Sequence, residues 1–239
     1  MRIDINGVII PNDDKWLYDY LEMDSTCIND VQRKLDFACD DEDVDVYINS
    51  PGGEIASGSA IYTALKSYTR GHVKIHITGQ AHSAASIIAM AGWCEMSPTA
   101  LMMVHCVSTC AAGNHGDMEK TAETLREADK ALSSAYILKS GMSRDEALAM
   151  MEKETWLRAE EALKLGLIDK VMFEDDNNMP MVASSGNYFK VTEKLASLAK
   201  RESSFINTSL LKTENNNDKD RLRLAKAKLD LQAEIGGKI

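Results

Sequence analysis

The sequence predicts an α/β fold, with helices packed outside the strands, and three observations carry that prediction. Short runs at 44–49 and 73–78, with β-branched residues in alternation, and the apolar run at 101–104 read as strands. Runs with apolar residues at helical spacing alternate with them, at 55–65, 83–92 and 117–139. The chain's 239 residues, 44% of them hydrophobic, suffice for one full core and an appendage.

Taken in order, residues 2–10 alternate and then turn apolar, which fits a strand or a hairpin around Asn6 and Gly7. Asp24 or Ser25 caps a helix reaching Cys39, with Ile28, Val31, Leu35 and Ala38 along one face. The acidic cluster at 40–43 is a solvated loop before the strand 44–49. Ser50-Pro51-Gly52-Gly53 closes that strand, and the helix after it turns Ile61 and Leu65 inward. Gly79 breaks the strand 73–78, and a helix runs from near Ser83 to Gly92. Pro98 and Thr99 precede the buried strand 101–104. The helix at 117–139 carries Met118, Ala122, Leu125, Ala128, Leu132 and Tyr136 at helical spacing and stops at Gly141. Ser143-Arg144-Asp145-Glu146 is a capping box, residues 154–157 are a link, and a helix at 159–165 leads through Gly166 to a strand at 168–172.

Residues 1–172 therefore form one folded domain, and 173–239 a linker and a charged, partly helical C-terminal tail. Its stretches 175–178 and 183–186 are linker-like, and 191–200 and 221–234 have helical patterns. The tail has too few apolar residues for a core of its own, so it is either an interaction or scaffolding arm or disordered. The net charge of −10 argues against nucleic acid or an anionic membrane as partner. Five cysteines without a CxxC pair fit reduced thiols. Asp4 interrupts what a signal peptide would need as an apolar core, and no run is long enough to span a membrane. The expected location is the cytoplasm.

Three features could carry chemistry. Ser83 sits at a strand-to-helix turn, where it is either an N-cap or a nucleophile beside unpaired helix N–H groups. Gly52 and Gly53 are either a simple turn or a place where backbone N–H groups approach a ligand closely. His105, delivered by the strand 101–104, is either structural or a general base. No two histidines have the spacing and intervening glutamate of a zinc helix.

The order Asn49-Ser50-Pro51-Gly52-Gly53, Gly79-Gln80-Ala81-His82-Ser83-Ala84-Ala85-Ser86, Met102-Met103-Val104-His105, Glu154-Thr155-Trp156-Leu157, Ala159-Glu160-Glu161-Ala162 and Gly166-Leu167-Ile168-Asp169 resembles the proteolytic subunit of Clp proteases. The resemblance covers residues 2–172 and is strongest to the phage and prophage branch, whose members mature capsid precursors. It implies the repeated β-β-α superhelix shared with crotonases and a serine endopeptidase acting through an acyl-enzyme. It makes Ser83 the nucleophile, His105 the base and Glu154 the third triad member, where the family usually has aspartate. The backbone N–H groups of Gly53 and Ala84 become the oxyanion hole, and no metal or cofactor is required. His82 stands where the family usually has a small residue and is the rival base; Asp169 is the fallback acid.

The resemblance further implies a polypeptide substrate, homo-oligomeric rings stacked through the helix 117–139, and a capsid or scaffold protein as partner. A second possibility is an ATP-dependent Clp protease subunit working with a Clp unfoldase. The short N-terminus, without the leader that forms docking loops in that branch, weighs against it. An acyl-CoA hydratase or isomerase of the crotonase fold, and a non-catalytic assembly protein, are the remaining alternatives.

Overall fold

Alternation of apolar and polar side chains sets up the main sheet. In β4 (Val44–Ser50) the side chains of Val44, Val46 and Ile48 are fully buried, while Asp45 and Tyr47 face the other side and are half-buried. The computed structural model describes residues 1–174. The linker and helical segments expected at 175–239 lie outside the described residues.

β4 is flanked in parallel by β1 (Arg2–Asn6) and by β5 (Val73–His82). The opposite edge of β5 is shared. Its first half pairs with β6 (Trp93–Met96) and its second half, Gln80–His82, with β7 (Leu101–Val104). β8 (Thr155–Leu157) joins β7 as the antiparallel member of the sheet, and β9 (Lys170–Val171) closes the edge beside β6. The result is a mostly parallel seven-stranded sheet in a mixed α/β protein.

Several local expectations change. No hairpin forms at Gly7: β1 joins the main sheet, whereas β2 (Val8–Ile9) pairs in parallel with β3 (Ser25–Thr26). A short helix, α1 (Lys15–Tyr20), lies between β2 and β3, and α2 (Ile28–Asp36) starts later than expected, after Cys27, whose N–H donates to Asp30. Gly79 does not end β5, because β4 and β7 continue to offer backbone partners on both sides of it. The missing Cβ at Gly79 instead makes room for the side chain of Asn49, whose Oδ1 would lie 2.5 Å from such an atom. The link at 154–157 contains β8, a strand too short to register as a periodic run.

The helices follow the sequence more closely. α3 (Ile55–Lys66) is capped by Glu54, whose carboxylate accepts from Ala56 and Ser57 N–H. α4 (Ala84–Ala89) is wholly buried in the core. α5 (His115–Ser140) begins at an Asn114 cap and ends at Gly141, and α6 (Arg144–Glu152) opens with the Ser143–Glu146 capping box. α7 (Ala159–Lys164) leads to β9. Among the described residues, no helix is long and apolar enough to cross a membrane.

The half-buried side of the sheet is held by polar pairs rather than apolar packing. His76 of β5 lies 2.9 Å from Asp45 of β4 and 2.8 Å from Glu95 of β6, and it stacks on Tyr47. Where α5 meets β6, Lys139 pairs with Asp169 and also donates to the carbonyl of Gly92 at 2.9 Å. Asp169 in turn accepts from Cys94 N–H at 2.7 Å. Removing the acid leaves a mostly buried ammonium without its counter-charge and a buried N–H without its acceptor. Asp169→Ala is expected to destabilise the fold by about 2–3 kcal/mol, read as a lower Tm in thermal denaturation.

Candidate active site

β5 and β7 end at the same edge of the sheet, and that shared ending builds the site. Their parallel register sets His82 against Met103, and Ser83 N–H then donates to the Met103 carbonyl at 2.8 Å. Ser83, one step past β5, and His105, one step past β7, thus emerge side by side. The distance from Ser83 Oγ to His105 Nε2 is 2.8 Å. This is hydrogen-bond distance, with Nε2 free to accept when the proton sits on Nδ1.

Ser83 does not cap α4. Its side chain makes no capping bond, and its backbone adopts φ 53°, ψ −124°, a conformation rarely seen outside glycine. Such strain costs about 1–3 kcal/mol and persists only where surrounding structure enforces it. The N-cap interpretation therefore gives way to one in which the turn presents the hydroxyl.

The Gly52–Gly53 segment is placed by a strand on its far side. Ile9 N–H donates to the Gly52 carbonyl and Glu54 N–H donates to the Ile9 carbonyl, both at 2.8 Å. In parallel pairing, a strand that uses the residues on either side of Gly53 leaves Gly53's own N–H facing the other way. A side chain is excluded here: Gly53 has φ 147°, and a Cβ would lie 2.1 Å from the Ile9 carbonyl oxygen. At Gly52 a Cβ would lie 2.7 Å from that of Ser83. Among the described residues, no backbone hydrogen bond occupies the N–H of Gly53 or of Ala84.

Gly53, Ser83, Ala84 and His105 line one cavity of about 380 Å³, whose walls include Leu132 and Tyr136 of α5. The predicted nucleophile, base and two oxyanion donors are therefore gathered at one place. Glu154 is not brought to His105. The β7–β8 register, continued one residue, sets its backbone opposite His105, yet its φ is 48° and its exposed carboxylate accepts from Trp156 Nε1 at 3.4 Å. Asp169, the fallback acid, is committed to Lys139 and Cys94.

Ser83 Oγ meets the ring of His105 rather than that of His82. The His82 ring packs edge-on against Trp156, its Nε2 is buried without a partner, and burial holds its pKa below the usual histidine value. Two further groups, one lining the cavity and one behind its Val107 wall, were not singled out from sequence. Cys106 follows His105, and Asp129 of α5 accepts from Val107 N–H at 2.7 Å. Both are polar or small residues without a periodic signal, so only the packing of α5 beside the strand end reveals them. Among the described residues, no group of three or more His, Cys, Asp or Glu side chains is set to hold a metal ion.

A mostly parallel α/β scaffold that places a strained serine against an imidazole and two available N–H groups has the layout of a serine hydrolase. A family model for Clp proteases matches residues 17–175, well over half of the chain. The chain belongs to the Clp protease family and is a serine peptidase of that type. The acyl-CoA hydratase alternative loses its support with that match.

The cysteines offer a direct check on the cavity's environment. Burial first, and Asp129 second, push the Cys106 thiol up to about 11. At pH 8 its thiolate fraction is on the order of 10⁻³. Iodoacetamide at pH 8 is expected to modify the exposed Cys39 and Cys110 well before Cys106, whose rate should rise about tenfold per pH unit towards pH 11. Peptide mapping by mass spectrometry reads the order.

Proposed function

We propose that this chain is a serine endopeptidase in which Ser83 is the nucleophile, His105 the general base, and the N–H groups of Gly53 and Ala84 the oxyanion hole. The observation that carries the reading is the 2.8 Å contact between Ser83 Oγ and His105 Nε2 at the wall of a cavity bordered by those two N–H groups. The substrate carbonyl carbon is attacked by Ser83 Oγ as its proton passes to His105 Nε2. The carbonyl oxygen becomes an oxyanion held by the two N–H donors. The imidazolium then returns its proton to the leaving amine as the C–N bond breaks, leaving an acyl-serine. Water, deprotonated by His105, attacks that ester, and collapse of the second tetrahedral species releases the acid and restores the Ser83 hydroxyl.

Glu154 takes the third position of this scheme by turning its carboxylate from the Trp156 indole towards His105, from the backbone position that the β7–β8 register assigns it. There it holds the Nδ1–H tautomer and stabilises the imidazolium. The repeated β-β-α superhelix, assembly into homo-oligomeric rings and a cytoplasmic setting complete the proposal. Its natural role is maturation of a phage or prophage capsid or scaffold precursor. The motif resemblance supports these, and α5 supports the assembly: Met118 and Leu138 leave apolar surface exposed at its two ends.

The test is labelling of the intact protein by a fluorophosphonate, with digestion of a fluorescent casein followed in parallel. Wild type should label once per chain at Ser83, and Ser83→Ala should lose both labelling and hydrolysis. Glu154→Gln should keep the fold and lower kcat by about 10²-fold or more. Correctly folded wild type that neither labels nor cleaves would sink the reading.

A further inference from the structure

α5 sends one buried hydroxyl towards the nucleophile's turn. Tyr136 and Ser86 are both fully buried, and their oxygens lie 2.8 Å apart. Ser86 Oγ also lies 2.6 Å from the Ser83 carbonyl oxygen. A carbonyl can only accept, so the Ser86 proton points to it. With that single proton committed, Tyr136 must supply the proton of the other bond. The order is fixed: Tyr136 O–H donates to Ser86 Oγ, and Ser86 O–H donates to the Ser83 carbonyl. Burial raises the Tyr136 phenol well above its ordinary range, which keeps it a donor. The Ser83 carbonyl accepts a second bond from Ser86 N–H at 2.9 Å.

That carbonyl belongs to the same peptide unit as the Ala84 N–H. In a planar trans peptide the C=O and N–H point in opposite directions. Drawing the Ser83 carbonyl into the core with two donors therefore aims the Ala84 N–H away from the core, towards the cavity. It also holds the strained φ and ψ of Ser83, which the local sequence would not keep unaided. A merely satisfied core pair could have ended on any acceptor. This one ends on the peptide that carries both the nucleophile and an oxyanion donor.

We propose that Tyr136 and Ser86 are positioning residues that act as one hydrogen-bonded unit to orient the Ser83–Ala84 peptide for transition-state stabilisation. The inference rests on the peptidase reading above and adds to it two residues outside the triad and the oxyanion hole. Neither touches the substrate carbonyl; both work through the peptide plane.

The experiment uses the full chain as wild type, Tyr136→Phe, Ser86→Ala and the double variant, each with Tm and circular dichroism recorded. Three quantities are read: the second-order rate of fluorophosphonate labelling, the affinity for a dipeptide boronate, and the affinity for the matching dipeptide amide. The boronate's tetrahedral adduct places an oxygen in the oxyanion hole, whereas the amide forms no adduct. Each single variant should lower the labelling rate and boronate affinity about tenfold, the worth of one hydrogen bond, while amide affinity stays within about twofold. The double variant should be no worse than the more impaired single variant by more than about twofold, because the two hydroxyls form one chain.

Single variants that label at the wild-type rate overturn the proposal. So does a parallel loss of boronate and amide affinity, which a loosened cavity would produce, and so does a double variant whose losses multiply. Wild type that neither labels nor binds the boronate removes the peptidase reading, and this inference with it. Wild type that does both while the variants match it removes this inference alone.

Discussion

One backbone hydrogen bond, from Ser83 N–H to the Met103 carbonyl at 2.8 Å, ties the end of β5 to the end of β7. Everything at the site depends on that junction. It sets the residue after one strand beside the residue after its neighbour, and so brings Ser83 Oγ within 2.8 Å of His105 Nε2 across 22 positions of sequence. A slip of one residue between the two strands would turn their side chains to the other face and separate the pair.

The junction exists because β5 is long enough to serve two neighbours. Its first half pairs with β6 and its second with β7, so β7 lies further along the strand than β6 does. The same extension carries β5 past Gly79 to the turn at Ser83. On the other side, the register of β4 with β5 shifts between Ile48 and Ser50, and there the chain leaves β4 for Gly52 and Gly53. Ile9, from the small β2–β3 sheet, then clamps the glycines from behind. Nucleophile, base and backbone donors arrive from three different strand ends. Preorganisation of this kind avoids reorienting dipoles during the reaction.

Polar groups buried around this frame are consistently paired. His76 bridges carboxylates on two adjacent strands, Lys139 and Asp169 close the seam between α5 and β6, and Tyr136 with Ser86 satisfies two core hydroxyls. Among the described residues the exception is His82 Nε2, buried against Trp156 without a partner. An unpaired buried nitrogen beside the nucleophile is best kept neutral, in line with the lowered pKa of this ring.

Local chemistry determined several helix ends and inward faces, though not the start of α2 or the presence of α1. The Ser143–Glu146 box, the stop at Gly141 and the inward faces of Ile61 and Leu65 depend on residues close in sequence, so periodicity and capping rules reach them. Motif order likewise pointed to Ser83, His105, Gly53 and Ala84 before any coordinates. Strand partners are a different matter, because pairing is a long-range choice. Only the tertiary structure sent β1 and β2 to separate sheets, carried β5 through Gly79 and made a strand of Thr155–Leu157. It also turned the carboxylate of Glu154 to Trp156, and it joined Tyr136 to Ser86 across 50 positions. A residue's type and spacing say what it can donate or accept; which atom it meets is settled by the packing of distant elements.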